Sequence, residues 1–254
     1  MNEYVPYLLL IIIGFVTGAI NTISGGGSAL SLPALILLGL PPVVANGTNR
    51  VSVLIQSIAS LLGFKSKGVS YAPFPNPGNI GVWIAVLLGA IIGAAIAIDI
   101  KGPLFNKILA VVIIIVVFGI IAKPKTATAG NERLTGVHQW MTIISFFFIG
   151  IYAGFIQAGT GIIMILTFSL INRISLVAAN AAKSMIVIIF TIASMVVFAY
   201  YGHINYSYGL LMGFGSAGGG WVASRWSVNR GDGLVKIFLV FTVVLIAIKL
   251  WWDN

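Results

Sequence analysis

Cysteine is absent from the 254 residues, which removes disulfide frameworks, thiolate metal sites and cysteine nucleophiles. Charge is nearly absent as well: 7% of residues are charged, where soluble domains carry about 25%. A water-soluble globular protein is thereby excluded. The acids are few and badly placed for catalysis. Glu3, Glu132, Asp232 and Asp253 fall at chain ends or in loops, and Asp99 at a segment boundary. No close pair of carboxylates is available inside an apolar segment for general acid/base work. His138 and His203 stand at segment ends without metal-ligand spacing. Neither a phosphate-binding GxxxxGK[ST] loop nor a dinucleotide fingerprint occurs. The expectation is a non-enzyme with no metal and no cofactor.

What the chain does have is apolar surface, 59% of its residues, with a mean hydropathy of +1.08. With a bilayer as solvent, the useful count is of segments about 20 apolar residues long. The excess of 14 Lys+Arg over 5 Asp+Glu is then loop charge that sets topology. Its scatter among short loops disfavours nucleic-acid binding. The opening MNEYVPY holds Glu3 and no basic residue, so it lacks the positive region of a removable signal, and the first apolar stretch is expected to remain.

Apolar segments lie at roughly 4–23, 29–39, 43–64, 80–98 and 104–122, and again at 140–158, a short piece to 171, 176–200, 207–224 and 234–252. Segment 29–39 is too short to cross about 30 Å as a helix. It follows Ser24-Gly25-Gly26-Gly27-Ser28, just as the second short piece follows a break at Gly159-Thr160-Gly161. The interval 123–139 reads as a linker between a first repeat, 1–122, and a second, 140–254. GFVTGAINTISGG (14–26) and GIYAGFIQAGTGI (150–162) align at one offset, pairing Gly14 with Gly150, Gly18 with Gly154 and Asn21 with Gln157. ANGTNR (45–50) stands opposite ANAAKS (179–184). Matched breaks in matched segments point to a duplicated transporter with its binding site between repeats. The Gly89–Gly93 spacing and the glycines from Gly213 to Gly220 read as helix-packing faces. Trp140, Trp226, Trp251 and Trp252 read as interfacial anchors.

Loop charge decides how each break is drawn. If 4–39 crossed as one discontinuous helix, Lys65, Lys67, Lys123, Lys125, Arg133 and Lys249 would face Lys101, Lys107, Arg173, Arg225, Arg230 and Lys236, six against six. If it is a hairpin that returns to its starting side, nine basic residues lie on one side and only Lys101, Lys107 and Lys249 on the other. The hairpin satisfies the positive-inside rule. The expected fold is an all-α integral membrane protein of two inverted repeats, each a re-entrant helical hairpin plus three transmembrane helices. The linker is then cytoplasmic and both termini are extracytoplasmic. Non-helical backbone at a hairpin tip must be buried in protein or line a wet cavity.

Two of the fourteen basic residues belong to no loop: Arg50 and Lys183. Each lies about seven residues inside its segment, hence ~10 Å deep at 1.5 Å per residue. A cation at that depth costs at least ~2.5–3.5 kcal/mol at a helix centre, and no acid is at hand to neutralise it. The bland alternatives are snorkelling, or capping of a re-entrant helix by the side chain. The functional alternative is an anion site completed by the substrate. In its favour, a half-helix starting after Gly25-Gly26-Gly27-Ser28 turns free N–H groups and a positive dipole end into the protein, an arrangement that binds anions. Ser24 and Ser28 add hydroxyls, and Gly159, Thr160 and Gly161 repeat the device. Asn21, Thr48, Asn49, Gln157 and Ser184 complete the candidate substrate-binding set, with Asn46, Gln56 and Asn180 as further polar neighbours. Any one of these amides and hydroxyls would otherwise join helices.

The stretch GFVTGAINTISGGGSALSLPALILLGLPPVVANGTN (14–49), with its weaker copy at 150–184, resembles the sulfite exporter TauE/SafE family. The similarity runs over essentially the whole chain. In the copy the glycine run becomes Gly-Thr-Gly, Ser169 stands where Pro33 predicts proline, and Ala182-Lys183 replaces a small hydroxyl pair. The resemblance implies passage of sulfite, sulfonates such as sulfoacetate, or related sulfur anions across the bacterial inner membrane. The residues by themselves point to a small anion. The expected partners are that anion and the lipid bilayer, with a homo-oligomer left open. The alternatives are an anion channel and a non-transporting membrane scaffold subunit.

Overall fold

The computed structural model describes residues 5–69, 80–100, 102–105, 107–108, 111 and 132–230. The described residues are helical, with no strand among them. The segments expected at 104–122 and 234–252, most of the linker, and Trp251 and Trp252 lie largely or wholly outside the described residues.

Helix α1, Val5–Ser24, is an unbroken apolar run that stops where Gly25 turns to φ +79°. Helix α2, Ser28–Leu37, spans 10 residues with Pro33 inside it. It ends before Gly39, at φ +94°, and Pro41. Helix α3, Pro42–Lys65, begins with proline at its first position, where no backbone donor is missed. It ends on Lys65, whose charge suits the negative end of the helix. Helix α4 is Ile80–Ile98. In the second series α5 is Val137–Phe155 and α6 is Thr160–Thr167, the latter continuing as a π-helical turn over Phe168–Asn172. Helix α7, Leu176–Tyr200, is capped by Ser175 Oγ, which accepts from Ala178 N at 3.2 Å. Helix α8 is Tyr206–Arg230.

Four of these, over Pro6–Ser24, Ile80–Ile98, Val137–Phe155 and Leu176–Tyr200, are long and apolar enough to cross a membrane. Burial is distributed as lipid requires. Leu8, Leu9, Ile12 and Phe15 on α1 and Ile84, Leu88 and Ile92 on α4 are exposed, while Asn46, Thr48, Asn49 and Arg50 on α3 are wholly buried. A water-soluble protein would invert that arrangement. Trp140 and Trp226 are exposed, as expected of side chains near an interface.

The packing glycines form two close crossings. Side chains built at Gly14 and Gly18 would strike the α8 backbone at Met212 and Ser216, and ones at Gly215 and Gly219 would strike α1 at Ile11 and Phe15. Gly150 and Gly154 meet α4 at Val86 and Ala90, and Gly89 and Gly93 meet α5 at Phe147 and Ile151. The first helix of each series therefore packs backbone to backbone on a helix of the other. With no hydrophobic force between helices in lipid, such close van der Waals approach is what holds them.

Candidate functional site

The two buried cations sit on the carboxyl ends of broken helices. Arg50, 0% exposed, donates from Nη1 to Ala153 O at 3.2 Å and to Ser194 Oγ at 2.6 Å. Its Nη2 donates to Gly154 O and to Asn46 Oδ1, and its guanidinium lies 4.5 Å from the centre of the Phe198 ring. One turn earlier on α3, Asn46 Nδ2 donates to Phe155 O at 2.7 Å. Lys183, 2% exposed, donates to Asn21 O at 2.7 Å, Thr22 O at 3.0 Å and Asn180 Oδ1 at 2.7 Å. Asn180 Nδ2 in turn donates to Ile23 O at 3.0 Å.

The last carbonyls of a helix have no intrahelical donor and carry the negative end of its dipole. Here an Asn and a cation of the opposite series satisfy them, Asn46 and Arg50 on α5 and Asn180 and Lys183 on α1. The sequence leads one to expect the substrate as the missing counter-ion. In this structure helix carbonyls fill that place, and all three ammonium donors of Lys183 have acceptors. Neither side chain snorkels towards lipid headgroups.

The two breaks also touch. A Cβ on Gly161 would lie 2.5 Å from Gly25 Cα and 3.1 Å from Lys183 Cδ, and one on Gly25 would overlap the Gly161 backbone. The second break differs in place from the sequence expectation. It occupies 156–159, with Gln157 at φ +60° and Gly159 at φ +70°, and Thr160 and Gly161 already open α6. Gln157 shares with Gly159 the left-handed backbone that composition alone would assign only to the glycines.

Beside the first break is a small polar cleft of about 10 Å³, lined by Asn21, Gly27, Ser28, Ser31, Asn49, Ser52, Val53 and Gln56, with Thr17, Gly18 and Ser216. A cavity of that size has room for about one water. No charged side chain among the described residues lines it. Asn21 Nδ2 donates to Gln56 Oε1 at 2.6 Å, while Gln56 Nε2 is held by Thr22 and Ser60 hydroxyls, each at 2.8 Å. Ser31 Oγ donates to Asn49 Oδ1 at 2.6 Å. Asn49 Nδ2 is buried without a partner among the described residues.

Of the expected site residues, the structure brings Asn21, Gly27, Ser28 and Asn49 to this cleft. Gly26 is buried in the link between α1 and α2. Arg50 and Lys183 sit outside the lining, on their carbonyls. Ser24, Thr160 and Ser184 direct their hydroxyls to Ile20 O, Gln157 O and Asn180 O. Thr48 Oγ1 accepts from Asn205 N at 2.9 Å, tying α3 to the loop before α8. Gln157 Nε2 donates to Thr191 Oγ1 at 3.1 Å, and its Oε1 is buried without a partner among the described residues. Ser31 and Ser52 were not expected there. Their signal is spacing: Ser31 is three residues after Ser28, and Asn49, Ser52 and Gln56 recur at the three-to-four-residue interval of one helix face.

The sequence profile described as Sulfite exporter TauE/SafE matches residues 10–250. The chain belongs to the TauE/SafE family. Among its relatives, "Probable membrane transporter protein ORF9" of a Sinorhizobium species is 27% identical over 100% of this chain and 96% of its own length. "Probable membrane transporter protein" of Haemophilus influenzae is 27% identical over 97% of this chain and 94% of its own, and "Probable membrane transporter protein YfcA" of Escherichia coli K12 is 25% identical over 98% and 91%. No solved structure matches the chain. The TauE/SafE chain is thus a multi-pass membrane protein among membrane transporters, and the buried amides, hydroxyls and cations of α3 and α7 stand at the broken helices of that fold.

Proposed function

We propose that this protein is a secondary transporter that exports small sulfur-containing anions, sulfite or sulfonates such as sulfoacetate, across the bacterial inner membrane by alternating access. The observation that carries this is the broken helix. The positive end of α2 opens onto a polar cleft within the fold, which is how discontinuous helices address anionic substrates in transporters. On this proposal residues 1–122 and 140–254 are inverted repeats, the linker 123–139 is cytoplasmic and both termini are extracytoplasmic. Asn21, Gly27, Ser28 and Asn49 face the cargo. Arg50 and Lys183 hold the two breaks together from opposite repeats while the cleft opens to one side and then the other.

The test is transport by the purified protein in liposomes preloaded with sulfite or sulfoacetate. The expected result is saturable efflux, with labelled anion drawn in against an unlabelled internal pool. Conductance without saturation or counterflow would establish a channel instead. Absence of any flux until a second protein is added would establish the scaffold alternative.

A further inference from the structure

The two series of helices do not pack as two separate halves. We propose that the bodies that move against each other during transport are exchanged: α1, α3 and α8 form one, and α4, α5 and α7 the other, so that each body takes a helix from the opposite series. This rests on the transport function proposed above and names its moving parts.

The first body is fastened at backbone distance and by hydrogen bonds. Helix α8 runs parallel to α1, since Gly14 and Gly18 meet Met212 and Ser216 in ascending order. It lies equally close to α3, where a Cβ on Gly209 would be 2.9 Å from Val51 Cβ and one on Gly220 would be 3.0 Å from Gln56 O. Ser52 Oγ donates to Ser216 Oγ at 3.0 Å, joining α3 to α8, and the Thr22 and Ser60 hydroxyls lie 2.7 Å apart, joining α1 to α3. In the second body Gly89 and Gly93 of α4 abut the α5 backbone. Val86 and Ala90 of α4 share a buried cluster with Phe146 of α5 and with Ile186 and Phe190 of α7.

Close van der Waals approach over small residues is what binds helices in lipid, and such packed surfaces do not deform continuously. If the first series moved as a unit against the second, Gly14 would have to pass Met212 and Gly93 would have to pass Ile151. Any such slide carries a Cβ into a place that only glycine fits. Between the proposed bodies the contact is of another kind. Helix α3 crosses α7. Arg50 and Asn46 of the first body reach α5 carbonyls of the second, and Lys183 and Asn180 of the second reach α1 carbonyls of the first. These side-chain clamps gather about the touching breaks at Gly25 and Gly161. Long side chains can keep a carbonyl partner through a small rotation, so the clamps are a pivot about which two bundles rock, as in alternating access around a fixed site.

The experiment uses cysteine pairs, for which the cysteine-free chain supplies no background. Ile55→Cys with Gly213→Cys joins α3 to α8, where the two Cβ positions are 3.6 Å apart, within the ~3.5–4.5 Å of a disulfide. Gly81→Cys with Ile143→Cys joins α4 to α5, where Ile143 Cγ1 lies 3.4 Å from the Cβ position of Gly81. Both pairs link different series within one body. Pro42→Cys with Gly102→Cys links the start of α3 to the chain just past α4, with Pro42 Cγ 3.8 Å from the Cβ position of Gly102. That chain stays with the second body through Phe105, whose ring centre is 6.4 Å from that of Phe155 on α5. This third pair therefore joins one series across the two bodies, away from the breaks.

Each variant is reconstituted in liposomes, its disulfide formation is checked by mass, and saturable efflux of labelled sulfoacetate is read before and after a reductant. The first two variants are expected to keep their flux when oxidised. The third is expected to lose flux when oxidised and to regain it on reduction, which shows that the chain is folded. Reversible block by either of the first two bonds, or flux that persists through the third, would overturn the exchanged bodies and leave the transport function standing. Absence of saturable flux in wild type and in every reduced variant would remove the transport function, and the moving bodies with it.

Discussion

Replacing Arg50 by alanine is expected to destabilise the protein by about 2–4 kcal/mol, measured by reversible unfolding in mixed micelles. The substitution leaves Ala153 O and Gly154 O without their donor, and each unsatisfied buried group costs about 1–3 kcal/mol. It also empties the space beneath the Phe198 ring, and large-to-small changes in a packed interior add a cavity term. Interhelical hydrogen bonds within membranes are often worth less, about 0.6 kcal/mol on average. That favours the lower part of the range. Arg50→Lys should recover only part of the loss, because one ammonium cannot reproduce the two-pronged geometry that reaches two successive carbonyls and Ser194. Full recovery by lysine would show that charge alone matters at this position. A variant as stable as wild type would show that the helix end is held by something else.

Gly25→Ala is expected to cost about 3 kcal/mol or more and to abolish transport. Two penalties combine. At φ +79° an L side chain is strained by about 1–2 kcal/mol. Overpacking against rigid backbone adds about 1–3 kcal/mol, because the new carbon would enter the Gly161 main chain. Gly39→Ala separates the two. Gly39 has φ +94° with nothing near its would-be Cβ, so it should show the strain without the clash and leave flux close to wild type. Equal effects at the two positions would mean that the meeting of the breaks is unimportant.

Much of the helical framework was legible because apolar runs and their Gly and Pro punctuation are local. Segments 80–98 and 176–200 agree with α4 and α7 to the residue, and 4–23 differs from α1 by one residue at each end. The packing role of Gly89, Gly93, Gly215 and Gly219 was legible for the same reason, since spacing on one face is a property of a single helix. The partners of the cations were not legible. Arg50 meets carbonyls 103 and 104 positions away, and a main-chain carbonyl has no residue-type signature to find. Only the matched places of Asn46 and Asn180 in ANGTNR and ANAAKS hinted that both segments do the same work. The second break was misplaced by a few residues because Gln157 adopts a glycine-like φ, which composition does not forecast. At the cleft, Asn49 was visible as a polar residue beside a cation. Its partner Ser31, eighteen positions earlier on another helix, was not.

The most direct test of the central claim is a structure of the protein in a lipid nanodisc with methanesulfonate bound. With the cleft opened around them, the sulfonate oxygens are predicted within about 3 Å of the Asn49 side-chain amide and the backbone amides of Gly27 and Ser28, with Arg50 and Lys183 still on their carbonyls. A sulfonate seated between the guanidinium and the ammonium, with those carbonyl bonds broken and the cleft empty, would contradict it.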